Sequence, residues 1–172
     1  MGKIRVMLLF GLSVLAVGLV IGTAIGIDFS ESPSDGLEGT WVLKCYGEIG
    51  KLRVPYPWNR RDITLIISAC ATAEQKIGDY PARENVIAGC FGINWYSGNY
   101  EVDGNKFSIY TEFGGKKHIG GLLVTEAGGP AHLLAQEDQC LHILASAQTY
   151  EITNGILIIC SEKGVLGFKR KG

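Results

Sequence analysis

Apolar and β-branched residues alternate with polar ones in short stretches along most of this chain, and glycine, proline, asparagine or aspartate interrupts each stretch. "GTWVLKCY" (39–46) and "DITLIIS" (62–68) read as strands on that pattern, as do "WYSGNYEV", "KFSIYT", "TYEI", "ILIICS" and "VLGFKR". Asp103-Gly104 separates "NYEV" from "NKFSIY", and Asn154-Gly155 separates "TYEI" from "ILIIC". Both dipeptides tolerate the positive φ of tight hairpin turns, so the flanking strands are predicted to pair antiparallel. One segment has a different period. After the breaker Gly128-Gly129-Pro130, the residues Leu133, Cys140, Leu141, Leu144 and Ala147 recur at three- to four-residue spacing, which predicts a helix from about Pro130 to Ala147 with that face buried. "ACATAEQKIGDYPARENV" (69–86) has no clear period and reads as a long hairpin excursion, and the glycine-framed "GGKKHIGG" (114–121) reads as a loop. The expected fold is mainly β (α+β): a small antiparallel β-barrel-like domain over 37–172 with one packed helix.

The N-terminus follows a separate logic. Lys3 and Arg5 precede an uncharged apolar run from Val6 to Ile27, and Asp28, Glu31 and Asp35 follow it. Basic residues before and acidic residues after place the start in the cytoplasm and the rest outside. A bilayer needs about 20 apolar residues, so the run, 1–27 with its basic head, reads as a transmembrane anchor. The alternative is a signal helix cleaved after the small residues Gly22 and Ala24, or Ala24 and Gly26, which would leave a secreted or periplasmic domain. "FSESPSDG", within 28–36, reads as a flexible tether between anchor and domain.

Composition narrows the picture. A chain of 172 residues has room for one ordinary domain, and 24 glycines suit many short strands joined by turns better than long helices. A formal net charge of −1 supplies no basic field for nucleic acid, and the cluster Lys169-Arg170-Lys171 reads as a solvated tail. His118, His132 and His142 have no metal-site spacing: Cys140 and His142 lie two apart on the predicted helix and point away from each other. The sequence contains no P-loop, G-x-S-x-G or H-E-x-x-H motif. No catalytic, cofactor or metal site is expected.

The segment "GINWYSGNYEVDGNKFSI" (92–109), together with "LEGTW" at the domain start, resembles the META domain, the module of the HslJ heat-shock-type proteins. The family motif runs Gly-Cys-Asn-x-Tyr-Ser-Gly and then a Tyr, matching Gly92, Asn94, Tyr96, Ser97, Gly98 and Tyr100 here. The resemblance continues through Gly39 and Trp41, Thr125, Glu137, "TYEITNGILII" and the last strand, in the same order and spacing. This chain departs from the family at Ile93 and Gly129, where the family usually has two cysteines, at Glu126 in place of an arginine, and at Cys140 in place of a helix aromatic. Roles that depend on those groups do not carry over. The resemblance implies a non-enzymatic envelope domain tied to stress response. If the family cysteines are bonded to each other, it also implies that Ile93 and Gly129 are spatial neighbours.

Taken residue by residue, Asn94 is expected to be a buried structural side chain that bonds nearby backbone and fixes the start of the Tyr96-Ser97-Gly98 strand. Trp41, Tyr96, Tyr100 and Phe168 are expected in the core. Glu137, four residues from both Leu133 and Leu141, is expected at the rim of the helix face, bonded to a backbone group. Five cysteines, Cys45, Cys70, Cys90, Cys140 and Cys160, leave at least one unpaired. Cys70 and Cys90 flank the excursion and are a candidate disulfide across it, whereas Cys140 suits a small buried hydrophobe. Gly39-x-Trp41 also looks like the start of a lipocalin-type barrel, which keeps a small-ligand or lipid carrier as the alternative function. The partners expected are the membrane, through the N-terminal segment, and an unidentified protein or small apolar ligand, with no nucleic acid.

Overall fold

The computed structural model of the chain describes residues 36–57, 62–68 and 85–172. Strand β1 (Gly39–Gly47) pairs antiparallel with β2 (Thr64–Ser68), β2 with β3 (Val86–Cys90), β3 with β4 (Trp95–Asp103) and β4 with β5 (Lys106–Phe113). From β5 the sheet passes to β8 (Ala147–Thr153), β9 (Ile156–Ser161) and β10 (Gly164–Arg170), and β10 returns to β1. The result is a closed eight-stranded antiparallel barrel. Closure is thinnest between β5 and β8, where the register is Lys106↔Thr149 and Tyr150 N–H donates to Asn105 O at 2.9 Å. Two further strands continue the sheet: β6 (Lys116–Ile119) pairs with β5 at Tyr110–Phe113, and β7 (Leu123–Val124) pairs with β4 at Tyr96 and Ser97.

Alternation decides which side chains fill the interior. In β9, Leu157 and Ile159 join the main core while Ile156 and Ile158 face a second apolar cluster outside it. β1 follows the same rule until the register slips between Leu43 and Cys45. Strict period-2 alternation would put Cys45 inside with Trp41 and Leu43. The extra residue instead turns Cys45 to the outer cluster with Ile156, Ile158 and Val165, and Tyr46 to the core. Trp41, Phe91, Phe107 and Phe168 are fully buried, with Leu65, Ile67, Ile87 and Ile109 around them. Large side chains occupy the barrel, so its interior is a packed core.

Helix α1 (Ala131–Ala145) packs on β1, β5, β9 and β10. Its start is set by Pro130, whose carbonyl accepts from the N–H groups of Leu133 and Leu134, and no side chain caps it. At its end, Ser146 Oγ donates to His142 O at 2.7 Å. The buried face is Leu133, Gln136, Glu137, Cys140, Ile143 and Leu144, so the expected stripe is corrected in two places. Leu141 is only partly buried, and Ala147 lies beyond the helix as the first residue of β8. Gln136 and Glu137 take the positions an apolar stripe would have kept for hydrocarbon, for a reason given below.

Three strands differ from the expectation. The excursion ends in β3, whose small residues Ala88 and Gly89 give little strand signal. Gly89 is required there: a Cβ would lie 2.1 Å from Thr64 O and 2.5 Å from the Tyr96 hydroxyl. "KKHI", read as loop, is β6, all four residues exposed along β5, and Leu123–Val124 forms the short β7. The anchor or signal segment 1–27, nearly all of the tether and Cys70 lie outside the described residues. Among the described residues, no helix is long and apolar enough to cross a membrane.

Candidate functional site

The segment 91–94 between β3 and β4 is held by one turn of α1. Glu137, 4% exposed, directs its carboxylate at two consecutive backbone amides: Ile93 N–H donates to Oε2 at 3.2 Å, and Asn94 N–H donates to Oε1 at 3.2 Å and Oε2 at 3.3 Å. Gly92 lies directly against this carboxylate, where a Cβ would rest in ordinary van der Waals contact, 3.4 Å from Glu137 Oε2. Glu137 does bond backbone, as expected, but from within the core and not from a rim.

Asn94 continues the connection away from the helix. Its Oδ1 accepts from Ala127 N–H at 2.6 Å and from the Thr125 hydroxyl at 3.1 Å, and its Nδ2 donates to Ala127 O at 3.3 Å. Thr125 Oγ1 in turn accepts from Trp95 N–H at 3.0 Å, and Thr125 N–H donates to Trp95 O at 3.0 Å. The asparagine is a buried structural side chain, 7% exposed, but its partners lie over thirty residues ahead in sequence and not beside it. It ties the start of β4 to the segment that leads into α1. Gly92, Asn94, Thr125 and Glu137 are therefore one latch. Ile93 and Gly129 meet beside it: a Cβ on Gly129 would fall 1.9 Å from Ile93 Cδ1.

The remaining motif residues are placed elsewhere. Tyr96 stacks on Phe91 with ring centroids 4.6 Å apart and donates its hydroxyl to Thr64 O at 3.2 Å. Tyr100 lies 5.8 Å from Phe107, Ser97 pairs with Ala88 and Leu123, and Gly98 packs under Leu122. Trp41 donates from Nε1 to Leu37 O at 2.9 Å and carries the Arg170 guanidinium 4.2 Å above its ring. Arg170 also donates to the carbonyls of Glu38, at 2.7 Å, and Gly36, so the last strand clasps the start of the domain beside Gly39.

A second feature adjoins the latch and has no motif in the sequence. Gln136, 2% exposed, accepts from Tyr56 N–H at 2.7 Å and donates from Nε2 to Tyr56 O at 3.3 Å and to Phe91 O at 2.9 Å. This pins the connection after β1 to the helix. Arg53 and Tyr46 exchange backbone bonds at 3.1 and 2.9 Å, which fixes the other end of that connection. Between connection and helix lies an open groove of about 600 Å³ lined by Tyr46, Arg53, Val54, Pro55, Tyr56, His132, Ala135 and Gln136. Burial raises the Tyr46 hydroxyl pKa, with the Cys140 thiol adding to it, and a side-chain hydrogen bond with Arg53 works against the rise.

Among the described residues, the surroundings of Cys45, Cys140 and Cys160 disfavour the thiolate. Burial pushes Cys45 up to about 11, opposed by a bond with the Gly167 backbone, and pushes Cys140 up further, with the Glu137 charge adding to it. Burial also raises Cys160. Cys90 Sγ donates to Gly92 O at 3.1 Å; its pairing with Cys70 falls outside the described residues. Folded pKa values above the ordinary 9.0 mean that these thiols favour the folded state below about pH 9, and that this contribution is lost as pH rises toward 11. A disulfide-exchange reagent at pH 8, followed by peptide mapping, should leave Cys45 and Cys140 unlabelled in the native protein and label both in denaturant. Native labelling of either at the denatured rate would contradict this placement. Among the described residues no cluster of His, Cys, Asp or Glu is arranged to hold a metal ion.

No protein-family model matches the sequence, and no curated protein matches it. The fold is similar to the NMR structure of a protein from Burkholderia xenovorans, with a TM-score of 0.53 and 17% identity over 84% of this chain and 98% of that one. At that identity the likeness concerns the fold.

Proposed function

We propose that the chain is a non-enzymatic META-type domain that works outside the cytoplasm, on a membrane anchor, as a binding module of the cell envelope with a role in stress response. The observation that carries the reading is the employment of its buried polar side chains. Asn94, Thr125, Gln136 and Glu137 direct their polar atoms at the backbone of Tyr56 and of the connections 91–95 and 125–127, and tie them together around one helical turn. Groups used in this way position a surface. A lipocalin-like carrier would need the barrel interior, which Trp41, Phe107 and Phe168 fill. A small ligand is better served by the groove beside α1.

Native mass spectrometry of the protein extracted from its own membrane tests this reading. The expected result is a full-length chain that keeps a bound partner or small molecule. A mature chain beginning near Ile25 or Ile27 would remove the anchor from the proposal, and a chain that carries nothing from the membrane would remove the binding role.

A further inference from the structure

The groove between the β1–β2 connection and α1 has a chemical bias. Tyr46 and Arg53 both line it, and among the described residues Arg53 is its one Lys, Arg, Asp or Glu and no carboxylate lines it. Arg53 is an exposed residue whose main chain is fixed by the bridge to Tyr46. Guanidinium has five N–H donors, more than one hydrogen bond to Tyr46 can use, and Arg53 lines the groove. Also lining it are apolar and aromatic surfaces with little cover: Val54 is 65% exposed and Tyr56 60%, with the Tyr56 ring edge-on to His132 at 5.6 Å between centroids. Gln136 grips both polar backbone atoms of Tyr56, so this wall is held in place before any ligand arrives. The groove beyond the other end of β4 and β5, lined by Glu101, Asp103 and Lys106, offers no such bias. Its charges are already matched, Asp103 with Lys106 and Glu101 with Lys117.

We propose that the groove is a binding site for a carboxylate carried on a compact apolar or aromatic body. The carboxylate sits in plane with the Arg53 fork and accepts from the Tyr46 hydroxyl, and the body lies against Val54, Pro55 and Tyr56. Planar bidentate pairing is what distinguishes arginine from a point charge, and a groove of about 600 Å³ suits a small molecule or the last residue of a peptide. This deepens the binding-module reading and rests on it.

Phenylacetate and its neutral analogue phenylacetamide are the probes, titrated into the isotope-labelled full chain in detergent and followed through backbone amide shifts. Phenylacetate should move Tyr46, Arg53, Tyr56 and Gln136 together and bind at least about tenfold more tightly than the amide, because only the anion uses the fork. Arg53→Gln should remove that preference, and Arg53→Lys should restore part of it by returning the charge without the fork. N-acetylphenylalanine provides the second arm: tighter binding than phenylacetate assigns the site to a peptide C-terminus, and weaker binding assigns it to a free small acid. Equal affinity for acid and amide, shifts scattered away from the groove, or an unchanged preference in Arg53→Gln overturns the proposal. The wild-type comparison stands even if a variant folds poorly. A partner retained in native spectra that blocks neither phenylacetate nor its shifts would keep the binding role while placing that partner elsewhere.

Discussion

Glu137→Leu is expected to lower the stability of the domain by about 3 kcal/mol, which at this chain length corresponds to a fall in melting temperature of roughly 10 °C. The carboxylate is the acceptor for Ile93 N–H and Asn94 N–H; the bond to Asn94 is buried and that to Ile93 partly buried. Leucine fits the neighbourhood of Leu133, Cys140 and Ile143 well enough, so the loss would come from stranded amides and not from a cavity. Removing an acceptor leaves each buried donor with a desolvation penalty of about 1–3 kcal/mol, and relief from burying the carboxylate offsets part of that sum. Glu137→Gln keeps one acceptor oxygen but turns an NH2 group toward the amides, so it should fall between wild type and Glu137→Leu. Circular dichroism melts give the order, and hydrogen exchange gives the location: the Ile93 and Asn94 amides should lose protection before those of β9 and β10. A Glu137→Leu melt that matches wild type would mean that the helix does not hold the 91–94 connection through this side chain.

Much of the barrel is legible in the chain, because each long strand carries its own signal. "ILIICS" and "VLGFKR" are apolar enough to be buried on both faces, and without help from distant residues Asp103-Gly104 marks the β4–β5 hairpin and Asn154-Gly155 the β8–β9 hairpin; Gly104 and Asn154 do take positive φ. β3, β6 and β7 carry no such signal. β3 is defined by its neighbours, with Gly89 present only because Thr64 and the Tyr96 hydroxyl leave no room for a side chain. β6 is entirely exposed and forms because β5 extends beyond its pairing with β8 and offers free backbone groups. The bulge in β1 is equally invisible, since nothing in "WVLKCY" says that Cys45 will face out and Tyr46 in.

The latch and the groove divide along the same line. That Asn94 is structural, and that Glu137 bonds backbone, follows from residue type and local position. That the asparagine reaches Ala127, and that the glutamate sits inside the core, follows from contacts between segments more than thirty residues apart. Gln136 has one local mark, a break in the apolar stripe of α1, and its meaning depends on Tyr56, eighty residues earlier. A polar residue inside a helical apolar stripe is the sequence signal that could have located both features, because burial obliges it to find a partner.

The double variant with Ile93→Cys and Gly129→Cys is expected to form a disulfide and to melt well above its own reduced form. A Cβ on Gly129 would lie 1.9 Å from Ile93 Cδ1 and 3.2 Å from Cγ1. Since Cγ1 is one bond from the isoleucine Cβ, the two Cβ positions are roughly 4 to 5 Å apart, at the upper side of what a disulfide spans. Closing a loop of this length, between residues 93 and 129, should stabilise the oxidised form over the reduced form by about 3–4 kcal/mol in the chain-entropy account, less any strain at the join. The single changes should act in the opposite direction. Gly129→Cys alone forces the end of the Ile93 side chain out of its rotamer, and Ile93→Cys alone leaves a void beside the latch, each costing roughly 1–2 kcal/mol. Two changes that each destabilise alone, and whose combination recovers that loss on oxidation, are a coupling that only direct contact explains. Peptide mapping under non-reducing conditions must find residue 93 joined to residue 129, because the chain's other cysteines offer competing partners. A folded double variant that stays reduced under mild oxidant, or one whose oxidised and reduced melts coincide, would separate the two positions and remove this support for the proposed resemblance to the META motif.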